Sequence, residues 1–134
     1  MKINICLSDQ DVIDGYQNIS ISQIDSIVNG SIDEILFTKL DNVSYNERLP
    51  LISNVLNKMK YNGILVIELL DLIAIGKDIS SGSLSSKTVS SLIQNTVSVS
   101  YEFDILEHIG NFPQYKVQKK YSHNYKLKLH VVKN

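Results

Sequence analysis

Alternating apolar and polar positions in the first third of the chain predict short β-strands. The alternating or apolar-rich stretches cover residues 2–7, 16–21 and 32–37. A period of two residues places successive side chains on opposite faces of a sheet. Asp14-Gly15 precedes the second stretch and Asn29-Gly30 precedes the third, and both dipeptides favour turns. The pattern therefore predicts three strands separated by turns.

The pattern changes to a helical period in the middle of the chain. From Glu47 onward, and most clearly between positions 52 and 59, apolar residues recur every three or four positions, which places them on one helix face. Asn62-Gly63 is expected to end this helix, because glycine readily adopts the left-handed conformation found there. Residues 64–70 then form an almost continuous apolar run. Such a run predicts an interior strand that is buried on both faces of a parallel sheet.

The last part of the chain predicts helices followed by a hairpin. Its predicted elements are a serine-rich linker or loop at 79–86, helices at 87–96 and 101–109, and strands at 115–121 and 125–132. The two strands alternate on either side of Ser122-His123-Asn124, so they are expected to pair antiparallel. Strands separated by helices favour parallel crossover connections. The whole pattern predicts an α/β fold, with a mostly parallel sheet, helices on both faces and a C-terminal antiparallel hairpin.

Length, charge and cysteine content narrow the class of protein. With 134 residues, the chain is expected to form a single domain over residues 1–134. The formal net charge is −1, from 13 basic and 14 acidic residues, which provides no global attraction to nucleic acid or membranes. The most apolar stretch, residues 64–75, contains Glu68 and Asp71 and is too short to span a bilayer. Because Cys6 is the one cysteine, no intramolecular disulfide can form, and a cytoplasmic protein is expected.

Charge is distributed unevenly along the chain. Acidic residues dominate the first half, at Asp9, Asp11, Asp14, Asp25, Asp33, Glu34 and Asp41. Lysines cluster near the end, at Lys116, Lys119, Lys120, Lys126, Lys128 and Lys133. These lysines and the nearby tyrosines would suit single-stranded nucleic acid, but lysine also discourages edge pairing of exposed strands and tyrosine is a common strand residue. We favour the second interpretation, and nucleic acid is not expected as a partner.

Several short strings, taken in order along the chain, resemble small class I S-adenosylmethionine (SAM)-dependent methyltransferases. Residues 13–20 read IDGYQNIS, where this family has a segment of the type hDGWhNVD. Residues 31–35 read SIDEI against SVDEI in the family, and residues 59–63 read MKYNG where the family has LKPGG. Looser matches are LDL at residues 70–72 and GNF at residues 110–112. The resemblance covers nearly the whole chain and implies a Rossmann-like fold.

The chain departs from the family pattern where that family binds its cofactor. Glycines after the family's first strand let the backbone approach the methionine part of SAM, and Cys6, Leu7 and Ser8 stand there instead. The acidic residue that binds the ribose at the end of the second strand corresponds to Ser20. The family's HVLEH loop corresponds to FTKLD at residues 37–41. The resemblance thus implies a site that is degenerate in its glycine loop. The implied cofactor-binding residues are Cys6, Leu7, Ser8, Ser20, Thr38 and Lys39.

Other candidate chemical groups are few. Asp71 follows the apolar run 64–70, where α/β folds place functional groups, so it either lies on the substrate side of the site or caps the next segment. Cys6 is expected to be a small buried residue rather than a nucleophile, because no sequence neighbour favours its thiolate. No metal site is predicted, because the three histidines, His108, His123 and His130, are not spaced in the sequence as metal ligands usually are.

Two functions are consistent with these patterns, and whether the chain is an enzyme stays open between them. The first is methyl transfer from SAM to an unknown acceptor, in which the protein mainly positions the reactants and no catalytic residue is identified. The alternative is a non-catalytic methyltransferase-fold module that has lost cofactor binding and serves in binding or assembly, for example as a homodimer. Because of the changes at residues 6–8 and at Ser20, SAM is predicted to bind weakly or not at all.

Overall fold

The computed structural model describes residues 1–94, 96 and 102–134. These residues form six strands and four α-helices, connected in part by short 3-10 turns. The strands are β1 (Lys2–Cys6), β2 (Gln17–Ser20), β3 (Ile32–Phe37), β4 (Met59–Leu70), β5 (Tyr115–His123) and β6 (Lys126–Lys133). The helices are α1 (Tyr45–Lys58), α2 (Leu72–Ser80), α3 (Ser86–Ile93) and α4 (Glu102–Gly110).

The strands form one mixed sheet in the order β2-β1-β3-β4-β6-β5. Strands β1 to β4 are parallel, whereas β6 runs antiparallel to both β4 and β5. The predicted α/β fold, a mostly parallel Rossmann-like sheet with flanking helices and a C-terminal antiparallel hairpin, is confirmed. In such sheets ligands bind beyond the carboxyl ends of the parallel strands. A site is therefore expected where the chain leaves β1, β2, β3 and β4.

One face of the sheet forms the hydrophobic core. Alternate side chains of β1, β3, β4 and β6 point to this face and are buried, as shown by Ile5, Phe37 and Ile67. Helices α1 and α4 contribute Ile52 and Ile105 to the same cluster. Burial of these apolar side chains provides the main driving force that holds helices and sheet together.

Strand β4 lies in the interior of the sheet, between β3 and β6, as predicted. The prediction that it is buried on both faces was wrong. Leu65 and Ile67 point to the core, whereas Ile64 on the second face is 36% exposed and Val66 is partly exposed. An apolar run does not report how many faces are covered, because Ile and Val favour strands in either environment.

The passage from α1 to β4 also differs from the prediction. The helix ends at Lys58 and the strand follows directly, so Asn62-Gly63 is not a helix stop. Gly63 lies inside β4, where a Cβ atom would stand 2.8 Å from the carbonyl oxygen of Lys60 and 2.9 Å from that of Ile32. Glycine is needed here because two backbones approach closely.

The predicted C-terminal hairpin is confirmed, since β5 and β6 pair antiparallel. Its turn consists of Asn124 and Tyr125, with φ angles of 50° and 62°. Two consecutive positive φ angles are typical of the two-residue turns that match strand twist. His123 is therefore the last residue of β5. The prediction that it is a turn residue was wrong.

The helix α2 is not predicted by the sequence pattern. Its first apolar residues, 72–75, continue the apolar run of β4 without a visible change of period, which hides the boundary. Helices α3 and α4 lie where helices were predicted at 87–96 and 101–109. Positions 95 and 101 of those two predictions lie outside the described residues.

Candidate functional site

The segments that leave β1 and β2 line an open cavity of about 260 Å³. Four of the residues implied as cofactor-binding lie on its wall: Cys6, Leu7, Ser8 and Ser20. Cys6 and Ser20 are register partners at the ends of their strands, which brings the two segments together. The cavity thus lies where the fold places a ligand, while the cofactor role of these residues stays a prediction.

The backbone after β1 is already bound by a carboxylate of the same chain. Asp11 Oδ2 accepts hydrogen bonds from the backbone N–H groups of Leu7, at 2.9 Å, and Ser8, at 3.0 Å. The other oxygen, Oδ1, lies 3.8 Å from Lys39 Nζ. Hydrogen bonds to an ionised carboxylate are among the stronger ones in proteins. Asp11 therefore occupies the position that these N–H groups would otherwise offer to an anionic ligand.

Two asparagines hold the loop that carries Asp11. Asn4, which is buried, donates through Nδ2 to the backbone carbonyl oxygen of Asp11 at 2.7 Å and to Asn18 Oδ1 at 2.8 Å. Asn18 accepts from the N–H of Ile13 and donates to its carbonyl oxygen. A side-chain amide can both donate and accept hydrogen bonds, so it can bind the N–H and the carbonyl groups of a loop to a strand. The connection from β1 to β2 is therefore fixed, with Asp11 held near Leu7.

Ser20 directs its polar groups at its own chain. The Ser20 N–H donates to Gln23 Oε1 at 2.8 Å, and its hydroxyl oxygen lies 2.9 Å from Ser22 Oγ. The first contact satisfies the backbone N–H at the start of the 3-10 turn that follows β2. An uncharged hydroxyl forms weaker hydrogen bonds with a ligand hydroxyl than a carboxylate does. A ribose contact of the kind that the family pattern implies would therefore be weaker with Ser20 than with a carboxylate.

Thr38 and Lys39 line a second cavity, of about 340 Å³, at the ends of β3 and β4. Its wall also includes Asp41, Glu68 and Lys126. Glu68 is paired with Lys126, with 3.3 Å between Oε1 and Nζ. The six residues implied as one cofactor site are thus divided between two cavities. The ion pair between Lys39 and Asp11 links the two.

A buried arginine supports the loop after β3. Arg48, on α1, is 1% exposed and donates through Nε and Nη2 to the carbonyl oxygen of Val43, at 3.1 and 3.0 Å. Asp41 Oδ2 accepts from the Leu70 N–H at 2.6 Å, and Asp41 Oδ1 lies 4.0 Å from Arg48 Nη1. Burial raises the pKa of Asp41, although the Leu70 N–H and the Arg48 charge oppose that rise. These contacts join the ends of β3 and β4 to α1.

The roles of Asp11, Asn4 and Arg48 were not predicted from the sequence. The sequence did contain a signal for Asn4 and Arg48, namely a polar residue at a position expected to be apolar. Asn4 interrupts the apolar residues of a strand, and Arg48 lies four residues before Ile52, on the apolar face of its helix. A polar residue at a core position needs hydrogen-bond partners, which makes it a candidate for a structural or functional network. Asp11 has no such signal, because an acidic residue in a loop is ordinary.

Asp71 has a clear structural role. Its Oδ1 accepts from the N–H of Ala74 at 3.0 Å, which caps the N-terminus of α2. A cap of this kind typically stabilises a protein by about 1 kcal/mol. The wall of the second cavity includes Leu69 and Leu70, the two residues before Asp71. Asp71 itself is not among the described residues that line this cavity. The substrate-side role stays a prediction.

The histidines are engaged separately from one another. His108 Nε2 lies 2.7 Å from Ser53 Oγ, and His130 Nε2 lies 3.0 Å from the hydroxyl of Tyr121. Within the described residues, no group of three or more His, Cys, Asp and Glu side chains is placed to hold a metal ion. In the same part of the chain, none of the helices is long and apolar enough to cross a membrane.

Cys6 is expected to react slowly with alkylating agents. Burial raises the pKa of its thiol, and the carboxylates of Asp11 and Asp9 raise it further, so little of the reactive thiolate is present at neutral pH. The rate with iodoacetamide should lie below that of free cysteine and rise with pH through a midpoint above that of free cysteine. Unfolding in urea should restore the rate of free cysteine. Equal rates in the folded and unfolded protein would contradict this expectation.

Comparison with known proteins identifies the fold but not a family. No family model matches the sequence, and no curated protein matches it. A SAM-dependent methyltransferase from Archaeoglobus fulgidus superimposes with a TM-score of 0.62 over 98% of this chain and 75% of that one, at 11% identity. A SAM-dependent methyltransferase from Thermotoga maritima, described as a possible histamine N-methyltransferase, gives 0.63 over 99% and 82%, at 13% identity. An O-methyltransferase family protein from Burkholderia thailandensis gives 0.66 over 99% and 43%, at 14% identity.

These neighbours define the architecture. The chain has the class I fold of SAM-dependent methyltransferases. Open α/β sheets bind ligands beyond the carboxyl ends of their parallel strands, and the cavity at the ends of β1 and β2 lies at such a position.

Proposed function

We propose that this chain is a methyltransferase-fold module that acts in binding or assembly and does not use SAM as a cofactor. The observation that supports the proposal is the Asp11 carboxylate, which is bonded to the N–H groups of Leu7 and Ser8. A ligand carboxylate approaching the same N–H groups would meet a fixed negative charge. The Lys39 ammonium group, which could attract such a ligand, is paired with Asp11. The residues around the cleft therefore do not fit the cofactor that the fold implies.

The expected loss of affinity is large. A hydrogen bond to a charged group contributes about 1.5–3 kcal/mol, and two such bonds to Asp11 have to be replaced before this backbone can bind another anion. Ser20, in place of a ribose-binding carboxylate, weakens binding by roughly a further tenfold. A micromolar cofactor site changed in these ways would fall to about the millimolar range.

SAM and S-adenosylhomocysteine should therefore bind to the wild-type protein with dissociation constants of about 1 mM or weaker. Isothermal titration calorimetry with the purified protein measures this directly. The absence of detectable heat at millimolar ligand would support a non-catalytic module. A dissociation constant in the low micromolar range would instead return methyl transfer as the function, with its acceptor still to be identified.

Asp11→Ala tests whether this carboxylate is the blocking group. The substitution frees two backbone N–H groups and Lys39, so SAM should bind roughly tenfold more tightly than it binds to wild type. It should also lower the free energy of unfolding by about 1–3 kcal/mol, because the Asp11 side chain is only 11% exposed and both N–H groups lose their acceptor. Asp14→Ala removes an exposed carboxylate from the same loop and should leave the affinity for SAM unchanged. Equal affinities for Asp11→Ala and wild type would show that Asp11 does not block the site.

A further inference from the structure

The second face of the sheet carries an apolar strip at its centre. Four aliphatic side chains point to this face and are partly exposed: Leu36, Ile64, Val66 and Val132. Leu36 is the register partner of Val66, and Ile64 is that of Val132, so the four lie side by side on β3, β4 and β6. Partly exposed aliphatic groups in the middle of a sheet indicate a surface that another layer can cover.

The two sides of this strip differ in height. Over β1 and β2, the loop of residues 7–16 crosses the face, because Asn4 and Asn18 point to this face and bond to the backbone of the loop. Tyr16 extends this cover toward β3, where its hydroxyl bonds to Glu34. On the opposite side, over β5 and β6, the side chain of Tyr121 is 46% exposed. The face is therefore raised on the β2 side and low on the β5 side.

Charge divides the face in the same way. Asp9 and Asp14 are exposed on the raised loop. Lys116 and Lys119 are exposed on β5, and their register partners on β6 show that they point to this face. Other charged side chains on this face are paired within the described part of the chain: Lys2 with Glu34, and Glu68 with Lys126 and Lys128. One side is thus acidic and raised, and the other is basic and low.

We propose that two copies of this chain associate through this face, related by a two-fold axis that runs parallel to the strands. Such an axis reverses the strand order, so β3 and β4 of one copy lie on β4 and β3 of the other and the apolar strips meet. The raised acidic loop of each copy then rests on the low basic hairpin of the other. A two-fold axis that runs across the strands would instead place the acidic loop of one copy on the acidic loop of the other, and the lysines of β5 on those of the other copy. Shape and charge therefore select the same arrangement.

The size of the face indicates how strong this dimer is. Six strands spaced by about 4.8 Å, with about five residues of about 3.3 Å along each, give a patch of about 24 by 17 Å. Specific interfaces bury about 800 Å² on each partner, and this patch, at about 400 Å², has about half that area, which is the size of a weak and transient interface. We expect a dissociation constant in the micromolar range that rises with salt, since the contacts between acids and lysines are screened. The dimer extends the proposed assembly role, but it is measured without cofactor, so its outcome is separate from that of the SAM titration.

A charge exchange between two variants tests both the dimer and its symmetry. Lys116→Glu/Lys119→Glu makes both sides of the face acidic, and Asp9→Lys/Asp14→Lys makes both sides basic. Each variant alone should associate at least about tenfold more weakly than wild type, because like charges then meet. An equal mixture of the two should associate about as strongly as wild type, because every acidic side again meets a basic one. Lys77→Glu, at an exposed lysine of α2, is the control and should leave association unchanged.

Sedimentation velocity over about 2–200 µM protein, at about 50 mM and about 500 mM NaCl, measures association. Circular dichroism confirms that each variant is folded, which is expected because all five substituted positions are exposed. Wild-type protein that stays monomeric over this range at low salt would overturn the proposal. A dimer that both charge variants leave unchanged, or a mixture that does not associate, would overturn it as well.

Discussion

Arg48→Met is expected to lower the free energy of unfolding by about 3–5 kcal/mol. Methionine is long, apolar and adaptable, so it fills much of the space of an arginine that is 1% exposed. It cannot donate to the carbonyl oxygen of Val43, which Arg48 reaches through Nε and Nη2. It also removes the positive charge that lies 4.0 Å from the largely buried carboxylate of Asp41. Buried polar groups that lose a partner bear the cost of desolvation without compensation.

The loss of stability should shrink as the pH falls. Burial raises the pKa of Asp41 and the Arg48 charge opposes that rise, so removing Arg48 raises this pKa further. A carboxyl group with a higher pKa in the folded state favours folding below its unfolded pKa, and this contribution is lost as the pH rises through the folded pKa. The difference between Arg48→Met and wild type should therefore be largest near neutral pH and smallest toward about pH 4. Urea unfolding across this range measures it.

Three further variants separate charge from shape. Arg48→Lys keeps the positive charge but lacks the planar fork that bonds twice to one carbonyl, so its loss of stability should be intermediate. Adding Asp41→Asn to Arg48→Met removes the orphaned charge and should recover part of the loss. Lys77→Met, at an exposed helix position, should change stability by no more than about 0.5 kcal/mol. An Arg48→Met protein as stable as wild type at neutral pH would contradict the supporting role of Arg48.

Gly63→Ala is expected to lower the free energy of unfolding by about 2–3 kcal/mol, because an inserted atom overpacks the structure. The added Cβ would lie 2.8 Å from the carbonyl oxygen of Lys60 and 2.9 Å from that of Ile32. Both atoms belong to the backbone, so no flexible side chain can move aside. Relief requires local separation of β3 and β4, which disturbs their pairing near the start of both strands.

Gly76→Ala is the matched control for this substitution. The position lies in α2, and no heavy atom stands within 4 Å of the added Cβ. Alanine in a helix interior stabilises by about 0.8–1 kcal/mol relative to glycine. Chemical unfolding should therefore give effects of opposite sign for the two variants. If both substitutions stabilised the protein, the close contact at Gly63 would not be limiting.

Elements whose pattern reflects one buried face were predictable. β6 and its pairing with β5 agree with the sequence pattern, because a core on one side imposes a period of two on β6. Boundaries were less predictable. Asn62-Gly63 and Ser122-His123-Asn124 consist of residues that favour turns, but the structure places the first inside a strand and forms the hairpin turn from Asn124 and Tyr125. Such residues also suit positive φ angles and close backbone contacts, so their type alone does not determine their role.

The sequence predicted six residues as one cofactor site, and the structure brings four of them to one cavity through contacts that the sequence did not reveal. The resemblance directed attention to Cys6, Leu7, Ser8 and Ser20, and these residues do line one cavity. The contact that changes the interpretation is made by Asp11, an ordinary loop acid in the sequence. Its position depends on Asn4 and Asn18, which lie on neighbouring strands and form hydrogen bonds with the backbone of the loop.

The sequence by itself determined the order and type of most elements, and through them the class of fold. Periodicity and helix or strand propensity act among residues that are close along the chain, so they can be read without knowing the partners. Only the tertiary structure decided that the Asp11 carboxylate accepts hydrogen bonds from the backbone N–H groups after β1 and that Arg48 lies beside Asp41. It also decided that the second face of the sheet carries partly exposed aliphatic side chains. These features depend on which distant segments meet and on what covers each face. Hydrogen bonds, desolvation and surface exposure are set by such neighbours in space, and a one-dimensional pattern does not contain them.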